Sequence, residues 1–135
     1  MERTLCIIKP DAVKNGFVEE INNLIIENGL QILKSKKTKI SAEIAEEFYS
    51  EHSEKPFFTE LVEFMTSGYS VVQILQGYNA VINYRNLMGA TNPNEADEGT
   101  LRAKFAESLS KNAVHGSDSL DSAQREIDIM LKIFD

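Results

Sequence analysis

The feature that most constrains this chain is an unbroken apolar run near its N-terminus, Thr4-Leu5-Cys6-Ile7-Ile8, which stops at Lys9-Pro10. A run without polar alternation is typical of a strand that is buried on both faces. We therefore expect a small sheet with helices packed on it. Cys6 lies in the middle of the run, so we expect it to be an inert core residue rather than a nucleophile.

The rest of the chain alternates between strand-like and helix-like patterns. Further strands are predicted over Leu30 to Ile40 and Ser70 to Leu75. Apolar residues at helical spacing predict helices over Phe17 to Ile25, Ser41 to Tyr49, Phe57 to Met65, Asn79 to Leu87 and Ser122 to Leu131. Gly89 to Thr100 lacks periodicity, which predicts a loop. This order favours an α+β or α/β fold, and the pattern alone shows no fourth strand.

The length and the cysteine content set the class of protein. We expect the 135 residues to form one domain, residues 1–135, with a core of its own. A single cysteine excludes an internal disulfide framework and fits a reducing compartment. The sequence shows no membrane-spanning run and no apolar signal segment, so we expect a cytoplasmic protein without a membrane partner.

The charge balance is acidic. Asp and Glu total 21 against 14 for Lys and Arg, which gives a formal net charge of -7 at pH 7. Binding to a nucleic acid backbone depends on Lys and Arg, so nucleic acid is not expected to be the main partner. The same net charge would repel a phosphate-bearing substrate at long range, so a phosphate site needs locally concentrated basic residues.

Common signatures of phosphate, metal and serine chemistry are absent from the sequence. There is no P-loop or dinucleotide fingerprint, the two histidines are not at metal-ligand spacing, and no G-x-S-x-G elbow occurs. This leaves His115, which precedes Gly-Ser-Asp in a tight turn that keeps the imidazole accessible. The helix that follows could hold an anion at its N-terminal amides. From spacing alone, a surface or capping histidine explains the pattern better.

Four other side chains are candidates for binding a phosphorylated ligand. Arg85 and Arg102 flank the predicted loop, and the guanidinium fork suits phosphate, although charge alone fits solvated helix arginines better. Lys9 ends the first strand, where a side chain faces either a ligand crevice or water. Phe57 could stack on a base, although packing is the simpler role.

Several segments together resemble the nucleoside diphosphate kinase family over essentially the whole chain. They are Ile8 to Val13, Lys55 to Phe58, Leu61-Val62, Met88 to Pro93, Gly99 to Arg102 and Asn112 to Ser119. The last segment is similar to the active-site signature of the family. The resemblance implies an α+β, ferredoxin-like sandwich, in which a four-stranded antiparallel sheet is covered by helices.

The resemblance also implies an activity, which is ping-pong transfer of the γ-phosphoryl group from a nucleoside triphosphate, typically ATP, to a nucleoside diphosphate. His115 would carry the group as phosphohistidine, oriented by Glu126 and Ser117, with broad base specificity. The nucleotide-binding positions implied are Lys9, Tyr49, Phe57, Leu61, Arg85, Thr91, Arg102, Leu109 and Asn112. Mg²⁺ would be held mainly by the nucleotide phosphates and water, with no direct protein ligand.

The resemblance further implies a homo-oligomer, either a tetramer or a hexamer. Tyr69 stands where proline is usual in the family and Glu98 where proline is common, and the Glu98 change puts the rigidity of an intersubunit loop in question. Two alternatives use the same fold, namely a catalytically idle nucleotide-binding scaffold and a phosphohistidine relay to another protein. The presence of His115, Lys9 and Glu126 argues against an idle scaffold.

Overall fold

The structure is a computed structural model that describes residues 1–134. Its single sheet has four strands, β1 (Glu2–Ile8), β2 (Gln31–Thr38), β3 (Ser70–Gly77) and β4 (Val114–Gly116). The strand order is β2-β3-β1-β4, and every neighbouring pair is antiparallel. The predicted α+β fold with a four-stranded antiparallel sheet is therefore confirmed.

Within residues 1–134, seven α-helices connect and cover the strands. They are α1 (Pro10–Lys14), α2 (Val18–Glu27), α3 (Ala42–Phe48), α4 (Phe58–Thr66), α5 (Ala80–Met88), α6 (Leu101–Phe105) and α7 (Leu120–Phe134). The short helices α1 and α6 were not predicted from periodicity, because five residues complete little more than one turn. No helix among residues 1–134 is long and apolar enough to cross a membrane.

The sheet separates two apolar cores, and β1 contributes to both. Cys6 and Ile8 pack in one cluster with α2, α5 and α6. Leu5 and Ile7 pack in the other cluster with α3, α4 and α7. All four side chains are fully buried, which confirms that the apolar run is a strand covered on both faces. Burial also raises the pKa of the Cys6 thiol to about 11, so this thiol stays protonated and unreactive at neutral pH.

The fourth strand is the element that periodicity could not show. It has only three residues, and its register pairs His115 with Ile7 of β1. Three residues are too few to show an alternation of apolar and polar side chains, so only the pairing with β1 identifies β4 as a strand. The pairing places His115 on the edge strand of the sheet, opposite the buried Ile7 near the end of β1.

Candidate active site

The imidazole of His115 is fixed by a carboxylate from the last helix. Nε2 of His115 lies 2.9 Å from Oε1 of Glu126 on α7. A carboxylate only accepts hydrogen bonds, so Nε2 carries the proton and donates it. In the neutral ring Nδ1 then keeps its lone pair. The arrangement leaves Nδ1 as the nucleophilic nitrogen of the ring.

Glu126 is itself tied to the central strand. Oγ of Ser117 donates to the same Oε1 at 2.7 Å, and the amide of Leu5 donates to Oγ of Ser117 at 3.4 Å. Ser117 is completely buried. This chain of hydrogen bonds runs from β1 to the imidazole, so the orientation of His115 depends on the sheet itself.

Gly116 allows β4 to approach α5 closely. A Cβ at this position would lie 2.6 Å from Cε of Met88 and 2.7 Å from Cδ2 of Tyr84. Both distances are far inside van der Waals contact, so a larger residue would have to displace the buried ring of Tyr84 as well as the flexible end of Met88. Glycine at this position therefore sets how deeply the strand that carries His115 sits against the core.

A small pocket of about 140 Å³ opens beside His115. It is lined by Phe48, Tyr49, Glu51, His52, His115, Gly116, Asp118, Ser122, Arg125 and Glu126. The ring of Phe48 meets the imidazole edge to face, with centroids 5.1 Å apart. Burial, followed by the charge of Glu126, raises the pKa of Tyr49, so its hydroxyl stays a neutral hydrogen-bond donor.

Lys9, Asn112 and Arg102 form a second cluster, which is basic. Only 7% of Lys9 is exposed, and its Nζ donates to Oδ1 of Asn112 at 2.8 Å. Burial, then the positive charge of Arg102, lowers the pKa of Lys9 to about 8, while Asp11 opposes the shift. The lysine is therefore still charged at neutral pH, in a setting where its charge is poorly solvated.

Arg102 on α6 is held by two backbone carbonyls. Nη1 donates to the carbonyl of Gly89 at 3.1 Å, and Nη2 donates to that of Val114 at 3.0 Å. Its Nε is buried and has no partner within residues 1–134. Burial lowers the pKa of Arg102, which remains charged because the guanidinium is so strongly basic. Arg85 is exposed, and its Nη1 donates to the carbonyl of Asp118 at 3.3 Å.

Sequence reasoning missed Asp11 and Ala113, which shape the turn before His115. Ala113 is fully buried and has a φ of 73°, a left-handed conformation that costs a non-glycine residue energy. Its amide donates to Oδ2 of Asp11 at 3.1 Å, and its carbonyl accepts from the amide of Lys9 at 2.8 Å. Both residues lie in segments that carry the family resemblance, and Asp11 also comes directly after the strand-ending Lys9-Pro10.

An apolar groove of about 640 Å³ contains four of the predicted nucleotide-binding residues, namely Phe57, Leu61, Thr91 and Leu109. Its other lining residues are Glu60, Phe64, Ser110 and Lys111. Phe57 is 47% exposed, whereas its neighbour Phe58 is partly buried against the core. An exposed ring beside aliphatic side chains is a suitable surface for stacking a flat aromatic ligand.

The predicted site residues thus fall into three neighbourhoods. Tyr49, Ser117 and Glu126 surround His115, and Arg85 donates to Asp118, which lines the same pocket. Asn112 and Arg102 lie with Lys9. The groove with Phe57 and the pocket with His115 share no lining residue. An imidazole with an available ring nitrogen, buried cations and an apolar groove can together hold a flat, negatively charged ligand and react with it.

Comparison with known proteins decides the family. Residues 2–135 match the family model described as nucleoside diphosphate kinase. The chain belongs to the nucleoside diphosphate kinase family. It is 58% identical over 132 residues to a nucleoside diphosphate kinase of Campylobacter jejuni, covering 98% of this chain and 96% of that protein. It is 60% identical over 127 residues to the Campylobacter curvus enzyme, covering 94% and 93%.

Solved structures of nucleoside diphosphate kinases share the fold. The Aquifex aeolicus enzyme has a TM-score of 0.93 and 44% identity, with coverage of 96% of this chain and 94% of that one. A halophilic enzyme from Halobacterium salinarum, solved in complex with CDP, has a TM-score of 0.91 and 39% identity, with coverage of 95% and 86%. The protein is therefore an enzyme with nucleoside diphosphate kinase function, a phosphotransferase that acts on nucleotides.

Proposed function

We propose that this enzyme transfers the γ-phosphoryl group from a nucleoside triphosphate, typically ATP, to a nucleoside diphosphate by way of Nδ1 of His115. The observation that carries the proposal is the 2.9 Å contact between Nε2 of His115 and Glu126. Because this contact holds the proton on Nε2, the attacking lone pair is on Nδ1 and needs no further base.

The reaction then proceeds in two displacements. Nδ1 attacks the γ-phosphorus, the bond to the oxygen that bridges the β- and γ-phosphates breaks, and the diphosphate leaves. In the second step a terminal oxygen of the incoming diphosphate attacks the same phosphorus, and the N–P bond breaks. Glu126 stabilises the positive charge that the ring acquires while it carries the phosphoryl group.

Histidine suits this role for an energetic reason. Donor and acceptor differ only in base and sugar, so the overall exchange is nearly thermoneutral. The carrier must then have a transfer potential close to that of the nucleotide itself. The labile N–P bond of phosphohistidine meets this requirement, whereas a phosphoester on Ser117 would be too stable and would trap the group.

The cations supply the electrostatic part of catalysis. We propose that Lys9 and Arg102, together with Arg85, Tyr49, Thr91 and Asn112, hold the phosphates and the ribose of the nucleotide. Support comes from the burial of Lys9 and of Arg102, whose Nε is a donor without a partner within residues 1–134. Charges in such poorly solvated positions stabilise developing negative charge more strongly than charges in water.

The base is proposed to stack on Phe57, with Leu61 and Leu109 on its other side. Stacking reads no base edge, because every base has a π-face, so purine and pyrimidine nucleotides should both be accepted. The exposure of Phe57 in an apolar groove supports this role.

The divalent metal that nucleotide kinases generally require is proposed to be Mg²⁺. No three His, Cys, Asp or Glu side chains converge into a metal cage within residues 1–134. The pocket beside His115 does contain the carboxylates of Glu51 and Asp118, which are hard oxygen acceptors suited to the waters of a hydrated ion. Bound to the β- and γ-phosphates, the ion would neutralise their charge.

Assembly and location complete the proposal. We propose that residues 1–135 form one domain and that the protein works in the cytoplasm as a homo-oligomer, either a tetramer or a hexamer. Glu98 is exposed in the loop before α6, where the family has proline. Measuring the mass in solution of the wild type and of Glu98→Pro tests the assembly, and a monomer in both would contradict it.

The central test is labelling with γ-labelled ATP alone. Acid-labile, alkali-stable label on the wild type, absent from His115→Ala, is the expected result. Adding GDP should then discharge the label as GTP. Equal labelling of His115→Ala would contradict the proposal, and label that passes only to another protein would favour the relay instead.

A further inference from the structure

Arg125 joins the helix that carries Glu126 to the end of another helix at the site. Its Nη2 donates to the carbonyl of Glu47 at 2.9 Å and to Oγ of Ser50 at 2.8 Å. Its Nη1 donates to the carbonyl of Phe48 at 3.3 Å. The carbonyls at the C-terminal end of a helix lack intrahelical partners, so Arg125 satisfies groups at the end of α3 that would otherwise need water.

The segment that Arg125 holds includes the aromatic side chains beside the reactive ring. The Phe48 ring meets the His115 imidazole at 5.1 Å, and the Tyr49 ring meets that of Phe48 at 4.9 Å. Both aromatic residues line the His115 pocket. The imidazole therefore contacts Glu126 at Nε2 and the Phe48 ring from another direction. Arg125, which directly precedes Glu126, connects the two because its side chain bonds the backbone carbonyl of Phe48.

We propose that Arg125 is a positioning residue for phosphoryl transfer, because it sets the end of α3 against α7 so that Phe48 and Glu126 hold the His115 ring together. Arg125 acts through these neighbours and does not itself bind the transferred group. Its planar fork is already engaged by the α3 carbonyls and Ser50. The inference rests on the proposed role of His115.

Lys132 makes a comparable contact between α7 and α3 that lies outside the site, so it serves as a control for a purely structural role. Nζ of Lys132, further along α7, donates to Oε1 of Glu47 on α3 at 2.8 Å. Its side chain is 61% exposed, against 33% for that of Arg125. Both basic residues connect α7 to α3 through Glu47, but Lys132 bonds only the Glu47 side chain, not the backbone at the end of α3, and does not line the His115 pocket.

The experiment compares Arg125→Met with Lys132→Met in single-turnover labelling of His115 by Mg-ATP. We expect Arg125→Met to be phosphorylated about tenfold more slowly, since small misplacements of reacting groups cost rate steeply. The ATP concentration for half-saturation should rise by a smaller factor than the rate falls, because the groove and the cations are untouched and Tyr49 is the one phosphate-binding residue on the segment that Arg125 holds. Lys132→Met should be phosphorylated at the wild-type rate.

A second measurement reports the protonation of the His115 imidazole directly. In ¹⁵N NMR spectra the wild-type His115 should be one tautomer, protonated on Nε2, whereas Arg125→Met should show a mixture. Arg125→Lys replaces the planar guanidinium by a single ammonium and is the substitute variant if Arg125→Met does not fold. Its rate of His115 phosphorylation should lie between those of Arg125→Met and the wild type.

Three outcomes would overturn the inference. Wild-type rate and tautomer in Arg125→Met, or in Arg125→Lys where Arg125→Met does not fold, would overturn it while leaving the proposed function intact. Equal slowing by Lys132→Met would show that Arg125 is only a structural tie. An unlabelled wild type would overturn the proposed function and this inference with it.

Discussion

The carboxylate of Glu126 accepts hydrogen bonds from both Nε2 of His115 and Oγ of Ser117 through one oxygen, Oε1. This shared acceptor fixes which imidazole nitrogen holds the proton. It also places a negative charge where positive charge would develop when the ring is phosphorylated. In the proposed reaction, the reactivity of His115 therefore depends on a side chain eleven residues further along the chain.

Replacing this carboxylate should slow the first half-reaction. Glu126→Gln keeps the shape of the side chain but removes its charge, so we expect His115 phosphorylation to fall on the order of 100-fold. Rapid-quench labelling with Mg-ATP measures the rate. Asp128→Asn, which removes an exposed carboxylate from the same helix, is the control and should keep the wild-type rate. Equal rates for Glu126→Gln and the wild type would exclude the electrostatic role.

The buried lysine should make stability depend on pH on the alkaline side. The pKa of Lys9 is about 8 in the folded protein, below the ordinary lysine value of 10.5. Between these two values the unfolded chain binds more protons at Lys9 than the folded chain does. Stability therefore rises with pH across this window, because the penalty of burying a charged lysine disappears. Between pH 8 and pH 10.5, deprotonation of Lys9 should add about 3 kcal/mol to the free energy of unfolding.

Urea unfolding of the wild type and of Lys9→Met from pH 7.5 to 10.5 measures this effect. The rise in the free energy of unfolding should be smaller for Lys9→Met, because methionine does not titrate. Nucleotide affinity should show the opposite trend, weakening above about pH 8 as the lysine loses its charge. Parallel stability curves for the two proteins would show that Lys9 does not titrate in this range.

The glycine in β4 should tolerate no side chain. Gly116→Ala places a Cβ 2.6 Å from Met88 and 2.7 Å from Tyr84, so we expect a loss of about 2 kcal/mol of stability and slower labelling of His115. Gly68→Ala is the matched control, because its Cβ would meet only Cβ of Pro10 at 3.8 Å, an ordinary contact. Thermal unfolding of both variants measures the difference, and similar values would mean that β4 adjusts freely.

The stacking residue should affect all nucleotides alike. Phe57→Ala is expected to lower kcat/KM for ATP, GTP, CTP and dTTP by a similar factor, equivalent to about 1–3 kcal/mol. Phe57→Trp preserves an aromatic face and should stay close to the wild type. Steady-state rates with the four nucleotides give the comparison. A loss confined to one base would show that the groove recognises base edges rather than faces.

Much of the architecture could be predicted from the sequence. The run from Thr4 to Ile8 predicted a strand covered on both faces, and the structure buries Cys6 and Ile8 in one core and Leu5 and Ile7 in the other. Such predictions succeed because periodicity reflects which face of an element meets the core, and this information is local in the chain. The motif around His115 also resembled a known family, whose membership the comparisons confirm.

The sequence could not predict contacts between distant segments. Lys9 meets Asn112 across 103 positions, and Ser117 meets the Leu5 amide across 112. The strand that carries His115 has three residues and forms only because β1 is beside it. The net charge of -7 likewise says nothing of buried cations such as Lys9 and Arg102 that the fold brings to one place.

Local residue order therefore predicted three of the four strands and most of the helices within residues 1–134, and the motif that resembles the family singled out His115. The tertiary structure alone decided the protonated nitrogen of that histidine, the burial of Lys9, the left-handed turn at Ala113 and the link from Arg125 to the end of α3. The physical reason is that burial, pKa shifts and hydrogen-bond partners depend on which distant groups share a neighbourhood, and only packing of the whole chain settles that.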